Sequence, residues 1–239
     1  MPVINEGKRI QSLLKKCAAQ KIHHHVDMII VDGGSTDGSL APNILHAANV
    51  CGLLIKTGNG KLSAQLRCAY AFALNQGYEG IITIDGNDKD DPTTIPQFIE
   101  ALTKGVDFVQ ASRFIKGGID INTPLIRKIA IQWIHAPFLR LSSGFPWTDT
   151  TQGYRAYSRR LLLDPEIAVF RDIFYGYELL YYLSHKLQKL HYRCVELPTK
   201  RSYPKDETPS KIAGIFGHFD FFMVLVKACL GCYDVKSKS

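Results

Sequence analysis

The chain has 239 residues, 46% of them hydrophobic, which is enough for one α/β-sized core and makes a single folded unit the simplest expectation. Its formal net charge of +7 suits nucleic acid, an anionic membrane or a phosphate-bearing substrate, but the basic residues are spread out without a recognition motif, so we expect no nucleic-acid partner. No run of about 18 uncharged apolar residues occurs, which argues against a membrane-spanning helix.

Apolar residues alternate between helical and strand spacing along the first half of the chain. The spacing predicts helices at 8–20, 39–49, 62–75 and 94–104, separated by strands at 27–31, 52–55, 80–84 and 107–111. This alternation predicts an α/β fold with a mostly parallel central sheet flanked by helices. Further along, the pattern predicts helices at 124–142, 158–164 and 175–187 and a late edge strand at 192–198.

The C-terminal segment 212–230 is rich in Phe, Ile, Leu and Val, but Asp220 and Lys227 interrupt it. Two interpretations stay open: an amphipathic helix on an anionic membrane surface, or a helix packed on the protein's own core or on a partner. We therefore expect a main domain at 1–210 and a tail at 211–239. The sequence does not indicate an oligomeric state.

The six cysteines show no disulfide framework. Only Cys229 and Cys232 form a C-x-x-C pair, and no further ligands stand nearby to complete a zinc site. We expect reduced cysteines, and because no signal peptide is recognisable we expect a cytoplasmic protein.

An acid-rich loop with Asp85, Asn87 and Asp88 follows the predicted strand at 80–84. Ligands of open α/β sheets bind at strand ends, and oxygen-rich loops suit divalent cations and the phosphates that these cations carry. A second junction of this kind joins the strand at 27–31 to Asp32 and a glycine-rich turn. Together the two loops indicate a nucleotide–metal site.

Several motifs follow one another along the chain. They are Pro2-Val3-Ile4-Asn5-Glu6, the segment 30–38, Asn59-Gly60-Lys61, the acid loop at Asp85, Ala111-Ser112-Arg113-Phe114, the segment 148–157 and Tyr177-Glu178-Leu179-Leu180. In this order they resemble the family 2 glycosyltransferases, and among these the dolichyl-phosphate mannose synthase and polyprenyl-phosphate glycosyltransferase branch. The resemblance covers residues 2–211 and implies a GT-A fold and an inverting transfer of sugar from a nucleotide diphosphate donor.

The resemblance also implies roles for single residues. Those on the donor side are Pro2, Asn5, Glu6, Asp32, Lys61, Asp85, Asn87, Lys89 and Arg201. Asp85 would hold a divalent metal, Mg²⁺ or Mn²⁺, on the diphosphate, with Asn87 and Asp88 beside it. Arg113 and Arg127 would face the phosphates of donor or acceptor, to which guanidinium groups offer forked donors.

In this branch the acceptor is a polyprenyl phosphate, whose phosphate is anionic near neutral pH and needs no strong general base. The resemblance therefore implies an enzyme that is peripheral on the cytoplasmic face of a membrane. Two alternatives stay open. One is a GT-A transferase with a saccharide or protein hydroxyl acceptor, for which Asp149 is the candidate base. The other is a non-catalytic glycosyltransferase-like subunit.

Two features depart from the family pattern. The second acid of the D-x-D element is Asn87, whose carbonyl can bind a metal with less charge, and Asp88 and Lys89 follow it. The family also has a buried strand before the Pro2 motif, whereas here only Met1 precedes it. We therefore expect a truncated first strand and unpaired backbone groups on its neighbours.

Overall fold

Strands and helices alternate through most of the chain, of which this computed structural model describes residues 1–205 and 214–235. The strands are β1 (Pro2–Val3), β2 (Met28–Asp32), β3 (Val50–Ile55), β4 (Gly80–Thr83), β5 (Phe108–Ser112), β6 (Ile119–Ile121), β7 (Arg155–Ser158), β8 (Cys194–Pro198) and β9 (Lys200–Ser202). The helices are α1 (Lys8–Ala19), α2 (Pro42–Ala47), α3 (Leu62–Asn75), α4 (Ile95–Thr103), α5 (Leu125–Ala130), α6 (Ala136–Ser143), α7 (Arg159–Leu163), α8 (Glu178–Lys189) and α9 (Gly214–Cys229).

The described strands form three sheets. β1, β2 and β3 are parallel neighbours, and β6 pairs with β9 in the same sense. The third sheet has the order β4-β7-β5-β8, in which β7 runs antiparallel to both of its neighbours. β8 lies at the edge, parallel to β5, as the sequence predicted. The expected α/β fold with a mostly parallel sheet is confirmed.

Two hydrophobic clusters hold the helices in place. Helices α1, α2 and α4 contribute to one cluster, and α3, α6, α8 and α9 contribute to the other. Representative members of the first are Ile10, Leu13, Leu45 and Phe98, and of the second Leu66, Leu139, Leu180 and Leu225. Because the packed helices connect the strands, their packing also fixes the positions of the strand ends.

The predicted helix at 124–142 is interrupted. A π-helical turn (Ile131–His135) separates α5 from α6, and Pro137 lies in the first turn of α6. Because proline has no N–H to donate, it breaks the regular hydrogen-bond series, and a wider turn accommodates the break. The two helices nevertheless follow one another closely, and each of them exposes large apolar side chains.

The described part of the C-terminal segment packs on the domain. Leu225 and Ala228 of α9 are buried, and the ring of Phe221 contacts those of Tyr177 and Tyr181. For this part the structure matches the core-packing interpretation. The predicted domain boundary at 210 and the basic residues beyond 235 lie outside the described residues. Among the described helices, none is long and apolar enough to cross a bilayer.

A cleft of about 610 Å³ is lined by residues of β1, β2 and β4, together with α3 and α4. β1 has two residues and pairs with β2, and β4 pairs only with β7 among the described strands. The Met1 amine, which also lines the cleft, donates to Ile29 O at 2.8 Å. Burial lowers the pKa of this amine from 8.0 to about 6, although Asp85 acts in the opposite direction.

For a chain that begins at Met1, we expect the free energy of unfolding to rise by up to about 3 kcal/mol between pH 6 and pH 8 through the Met1 amine alone. The pKa is lower in the folded chain, so protonation disfavours folding, and the penalty disappears as pH rises through the window. Urea unfolding across this range, compared with Nα-acetylated protein, measures it. Acetylation leaves unchanged the contributions of His135 and His185, whose pKa values burial lowers to about 4. An identical pH slope in the acetylated protein contradicts this prediction.

Candidate active site

The loops after β1 and β2 are joined by hydrogen bonds. Asn5 N donates to Ser35 Oγ at 2.9 Å, and Asn5 Oδ1 accepts from Thr36 N at 2.8 Å. Gly7 N donates to Asp37 Oδ2 at 2.8 Å. Asn5 has a φ of 47°, a left-handed conformation that asparagine tolerates better than most residues. These bonds join the carboxyl ends of two parallel strands into one surface, where open α/β sheets bind ligands.

Asp32, Glu6 and Pro2 occupy this surface with different partners. The buried Asp32 carboxylate accepts hydrogen bonds from both the N–H and the hydroxyl of Ser35. Asp32 thereby caps the turn that follows β2. Glu6 pairs with Arg9 of α1 at 3.0 Å. Pro2 O accepts from Gly86 N at 3.3 Å and so ties β1 to the acid loop. The three predicted donor-side residues therefore lie at adjoining strand ends.

The acid loop after β4 directs its side chains to different neighbours. Asp85 is half-buried and lies against Gly153, where a Cβ atom would overlap the Asp85 carboxylate. Asn87 Nδ2 donates to Asp85 Oδ2 at 3.4 Å. Asp88 instead pairs with Lys16 of α1 at 2.7 Å. The structure thus brings Asn87 to Asp85 but gives the Asp88 carboxylate a separate cationic partner.

The residues described here contain no group of three or more His, Cys, Asp or Glu side chains suited to a metal. Mg²⁺ in phosphate-binding sites is usually held by one or two protein carboxylates, with phosphates and water as its other ligands. Asp85 fits that smaller requirement, with the Asn87 amide beside it, whose carbonyl oxygen accepts from Lys89 N at 3.2 Å. These two side chains could hold a metal that arrives on a diphosphate.

Four cationic side chains surround the ring of Tyr203, and we call them the cation cluster: Lys89, Arg113, Arg127 and Arg201. Their charged groups lie 4.9, 5.9, 5.6 and 5.6 Å from the ring centre, respectively. They come from the acid loop, the end of β5, α5 and β9. Burial, followed by repulsion from Arg201, lowers the pKa of Lys89 to about 8. Such a concentration of cations is suited to binding phosphate groups.

Buried carboxylates hold two members of the cation cluster. Arg113 donates to both oxygens of Asp149, at 2.7 and 3.3 Å, and both side chains are fully buried. Arg201 pairs with the buried Asp90, whose pKa is raised by burial although Arg201 opposes the shift. Arg113 also donates to Thr123 Oγ1 at 3.0 Å. These bonds fix the guanidinium groups before any ligand binds.

The placement of Asp149 bears on its predicted role as a base. Its carboxylate is completely buried and also accepts from Gln152. A general base must reach the proton that it removes. Asp149 is therefore placed to orient Arg113 rather than to meet a substrate hydroxyl. Lys61, the remaining predicted residue, is exposed at the start of α3, and its backbone N–H donates to Tyr175 O at 2.7 Å.

Tyr203 and Asp90 belong to the site but were not among the predicted residues. A signal for Tyr203 was present, because residues two apart on a strand point to the same side and Tyr203 follows Arg201 by two positions. Asp90 stands one residue beyond Lys89 in the acid loop, but its partner is Arg201, far along the chain. Sequence spacing alone does not show such a pairing.

The family model described as glycosyl transferase family 2 matches residues 1–164 of this chain. An undecaprenyl-phosphate mannosyltransferase from Micrococcus luteus is 28% identical over 174 residues, covering 72% of this chain and 70% of the relative. A polyprenol monophosphomannose synthase from Mycolicibacterium smegmatis is 26% identical over 174 residues, covering 68% and 61%, respectively. An undecaprenyl-phosphate 4-deoxy-4-formamido-L-arabinose transferase from Pectobacterium atrosepticum is 28% identical, with 48% of its length matched.

Solved structures show the same fold. Glucosyl-3-phosphoglycerate synthase from Mycobacterium tuberculosis, in complex with Mn²⁺, uridine diphosphate and phosphoglyceric acid, superposes with a TM-score of 0.65 at 17% identity. The superposition covers 99% of this chain and 78% of that one. This likeness confirms the predicted GT-A fold.

Proposed function

Because the chain belongs to glycosyl transferase family 2, we propose that it transfers a sugar from a nucleotide diphosphate donor to the phosphate of a polyprenyl lipid. The cation cluster beside Asp85 is the observation that carries this proposal. Its four cations carry more positive charge than is needed to balance one diphosphate that already binds a metal. The cluster therefore also suits a second phosphate group, that of the acceptor. The names of the relatives from Micrococcus luteus and Mycolicibacterium smegmatis support a polyprenyl phosphate acceptor.

The chemistry of a phosphate acceptor fits the buried site. A phosphate monoester is anionic near neutral pH, so the attacking oxygen needs orientation and charge balance rather than proton removal. Both Asp149 oxygens are occupied by Arg113, which leaves the hydroxyl-acceptor alternative without a positioned base at that residue. The proposed roles of Arg113 and Arg127 are to hold phosphate oxygens in line with the sugar.

We propose that Asp85 and Asn87 hold the donor's divalent metal, Mg²⁺ or Mn²⁺. When bound, such a metal neutralises charge that develops on the nucleotide diphosphate leaving group. The uridine diphosphate and Mn²⁺ in the Mycobacterium tuberculosis enzyme are in keeping with this proposal. Asn87 contributes less charge than a second carboxylate, so we expect weak metal binding until the diphosphate adds its own oxygens.

An exposed apolar face along α5, the π-helical turn and α6, which we call the α5–α6 face, supports an enzyme that works at a membrane surface. Ile126, Trp133 and Leu141 are 84%, 76% and 91% exposed. Lys128 flanks this face, and Arg127 of the same helix reaches the Tyr203 hydroxyl at 3.2 Å. We propose that the face lies on the cytoplasmic surface of a membrane and presents the lipid phosphate to the cation cluster.

The double substitution Trp133→Ser with Leu141→Ser is expected to weaken binding to anionic phospholipid vesicles by at least about tenfold, because two large side chains no longer enter the interface. Vesicle flotation measures the bound fraction. A matched control is Leu163→Ser with Ile173→Ser, two apolar side chains that are 52% and 47% exposed outside α5 and α6. Equal losses for both pairs would refute a specific role for the α5–α6 face.

Sugar transfer to undecaprenyl or dolichyl phosphate, by membranes that contain the protein, tests the proposed function. Labelled UDP-, GDP-, dTDP- and CDP-sugars are supplied with and without Mg²⁺ or Mn²⁺. The expected result is a chloroform-soluble labelled product from one donor. Transfer to a saccharide or protein hydroxyl instead would overturn the proposed acceptor, and donor binding without any turnover would favour a non-catalytic subunit.

A further inference from the structure

Tyr203 lies at the centre of the cation cluster, where its hydroxyl oxygen accepts hydrogen bonds from two arginines. Arg127 Nη1 lies 3.2 Å and Arg201 Nε 3.5 Å from this oxygen. The side chain is 4% exposed. A phosphate oxygen that binds these arginines through the same N–H groups would have to displace the phenol oxygen.

The charges around Tyr203 favour its ionised form. Burial alone would raise the pKa of Tyr203, but Arg201, Arg113 and Arg127 outweigh it and lower the pKa to about 7. The charged groups that face Tyr203 or stand behind its neighbours are Lys89, Arg113, Arg127, Arg201, Asp85, Asp90 and Asp149. In this set the cations outnumber the carboxylates, and a phenolate would reduce the imbalance.

We propose that Tyr203 is a positioning residue whose phenol oxygen holds the donors of Arg127 and Arg201 until a phosphate oxygen replaces it. The inference rests on the proposed function for the identity of that phosphate. The exchange conserves charge: the phosphate brings negative charge to the arginines, and the displaced phenolate takes up a proton from solvent. The phenol oxygen thus holds the arginine donors in place while the site is empty, and the protonated phenol adds no negative charge once a phosphate is bound.

Competition between phenolate and phosphate has a measurable consequence. Above the pKa of Tyr203, an anion must displace a phenolate rather than a phenol, so anion affinity falls with rising pH. The limiting slope for coupling to one proton is about tenfold per pH unit. Sulfate is a suitable probe, because its own charge does not change near neutral pH and its binding requires neither donor nor lipid.

The test is a titration of the protein with sulfate at several pH values on both sides of neutrality, without divalent metal. Tyrosinate absorbance in the ultraviolet reports the ionisation of Tyr203, and calorimetry reports sulfate affinity. The pKa is raised for most other tyrosines, among them Tyr154, Tyr181, Tyr182 and Tyr192, so the tyrosinate signal near neutral pH isolates Tyr203. We expect sulfate to reduce this absorbance above neutral pH.

Tyr203→Phe keeps the ring and is expected to remove the absorbance change and to make the fall in sulfate affinity above neutral pH shallower, leaving only the part due to Lys89, whose pKa is about 8. Tyr192→Phe is the matched control, because Tyr192 is also buried, lies beneath the guanidinium of Arg160 and donates to Asp164, yet lies outside the cation cluster. It is expected to behave as the unmodified protein.

Three results would overturn the inference. The first is sulfate binding with no change in tyrosinate absorbance in the unmodified protein, a measurement that requires no variant to fold. The second is an unchanged pH dependence in Tyr203→Phe, which would assign the proton to Lys89. The third is an absorbance change that persists in Tyr203→Phe. Failure of lipid-linked sugar synthesis with these sulfate effects intact would reject the proposed acceptor and leave the role of Tyr203 standing.

Discussion

Replacement of Asp85 by alanine is expected to lower the rate of sugar transfer by about 10²- to 10³-fold while the protein stays folded. The Asp85 carboxylate stands at the end of β4, and its hydrogen-bond partner Asn87 is a neutral amide. Removing it takes away the main negative charge that we propose for the donor's metal. Initial rates of chloroform-soluble product, together with thermal unfolding of the same sample, measure the effect.

Asp88→Ala is the matched control for Asp85→Ala. Asp88 lies in the same loop, but its carboxylate pairs with Lys16 at 2.7 Å. We expect its removal to change the transfer rate by less than about threefold, since exposed or partly exposed pairs contribute little. Equal losses for both variants would show that the loop's overall charge matters rather than the position of Asp85.

The substitution Gly153→Ala is a second way to test the role of the Asp85 carboxylate. The new Cβ would overlap the Asp85 carboxylate and displace it without changing its chemistry. We expect an activity loss in the direction of Asp85→Ala, because a catalytic group moved by about 1 Å loses much of its effect. Full activity in Gly153→Ala with an intact fold would contradict the proposed placement of Asp85.

The parallel part of the fold follows directly from the sequence, whereas β7 does not. Apolar runs such as 27–31 and 80–84 are long enough to indicate strands. β7 has four residues, begins with Arg155 and ends with Ser158, so its local pattern is weak. Its partners β4 and β5, which bond to it on both sides, determine its conformation. Tertiary pairing of this kind is not encoded within a short window of sequence.

The candidate site shows a similar division. The resemblance to the family implies roles for Arg113, Arg127 and Arg201 one by one. Their common neighbour Tyr203 emerges only when β9 is placed beside β6 and α5 approaches the same ring. The acid loop is also predicted correctly as a strand-end loop, but the separate pairing of Asp88 with Lys16 depends on where α1 packs.

Apolar surface is where local sequence and structure differ most in this chain. The tail 212–230 carries the more obvious hydrophobic signal, yet Phe221 and Leu225 of its described part pack on the domain. The α5–α6 face has fewer apolar residues in sequence, but they remain exposed in the structure. Hydrophobicity in a sequence does not distinguish a buried face from a membrane-facing one, because both use the same residue types.

Asp149→Ala is expected to lower the free energy of unfolding by about 3–5 kcal/mol, because it leaves the buried Arg113 guanidinium without its carboxylate. Both side chains are fully buried, so water cannot replace the lost partner. Urea unfolding measures the loss. Asp172→Ala is the matched control: Asp172 also pairs with an arginine, Arg67 at 2.8 Å, but its side chain is fully exposed and little change in stability is expected.

The pair Arg113–Asp149 also separates the two acceptor chemistries. If Asp149 acts through Arg113, removing both charges should be less harmful than removing one. The double substitution Arg113→Met with Asp149→Leu should therefore recover most of the stability lost in Asp149→Ala, because no buried charge remains. Transfer activity should stay low in both, since the guanidinium that we propose for phosphate binding is misplaced or absent. Unchanged stability in Asp149→Ala, combined with lost activity and lost dependence of the rate on pH, would instead identify Asp149 as a base and restore the hydroxyl acceptor.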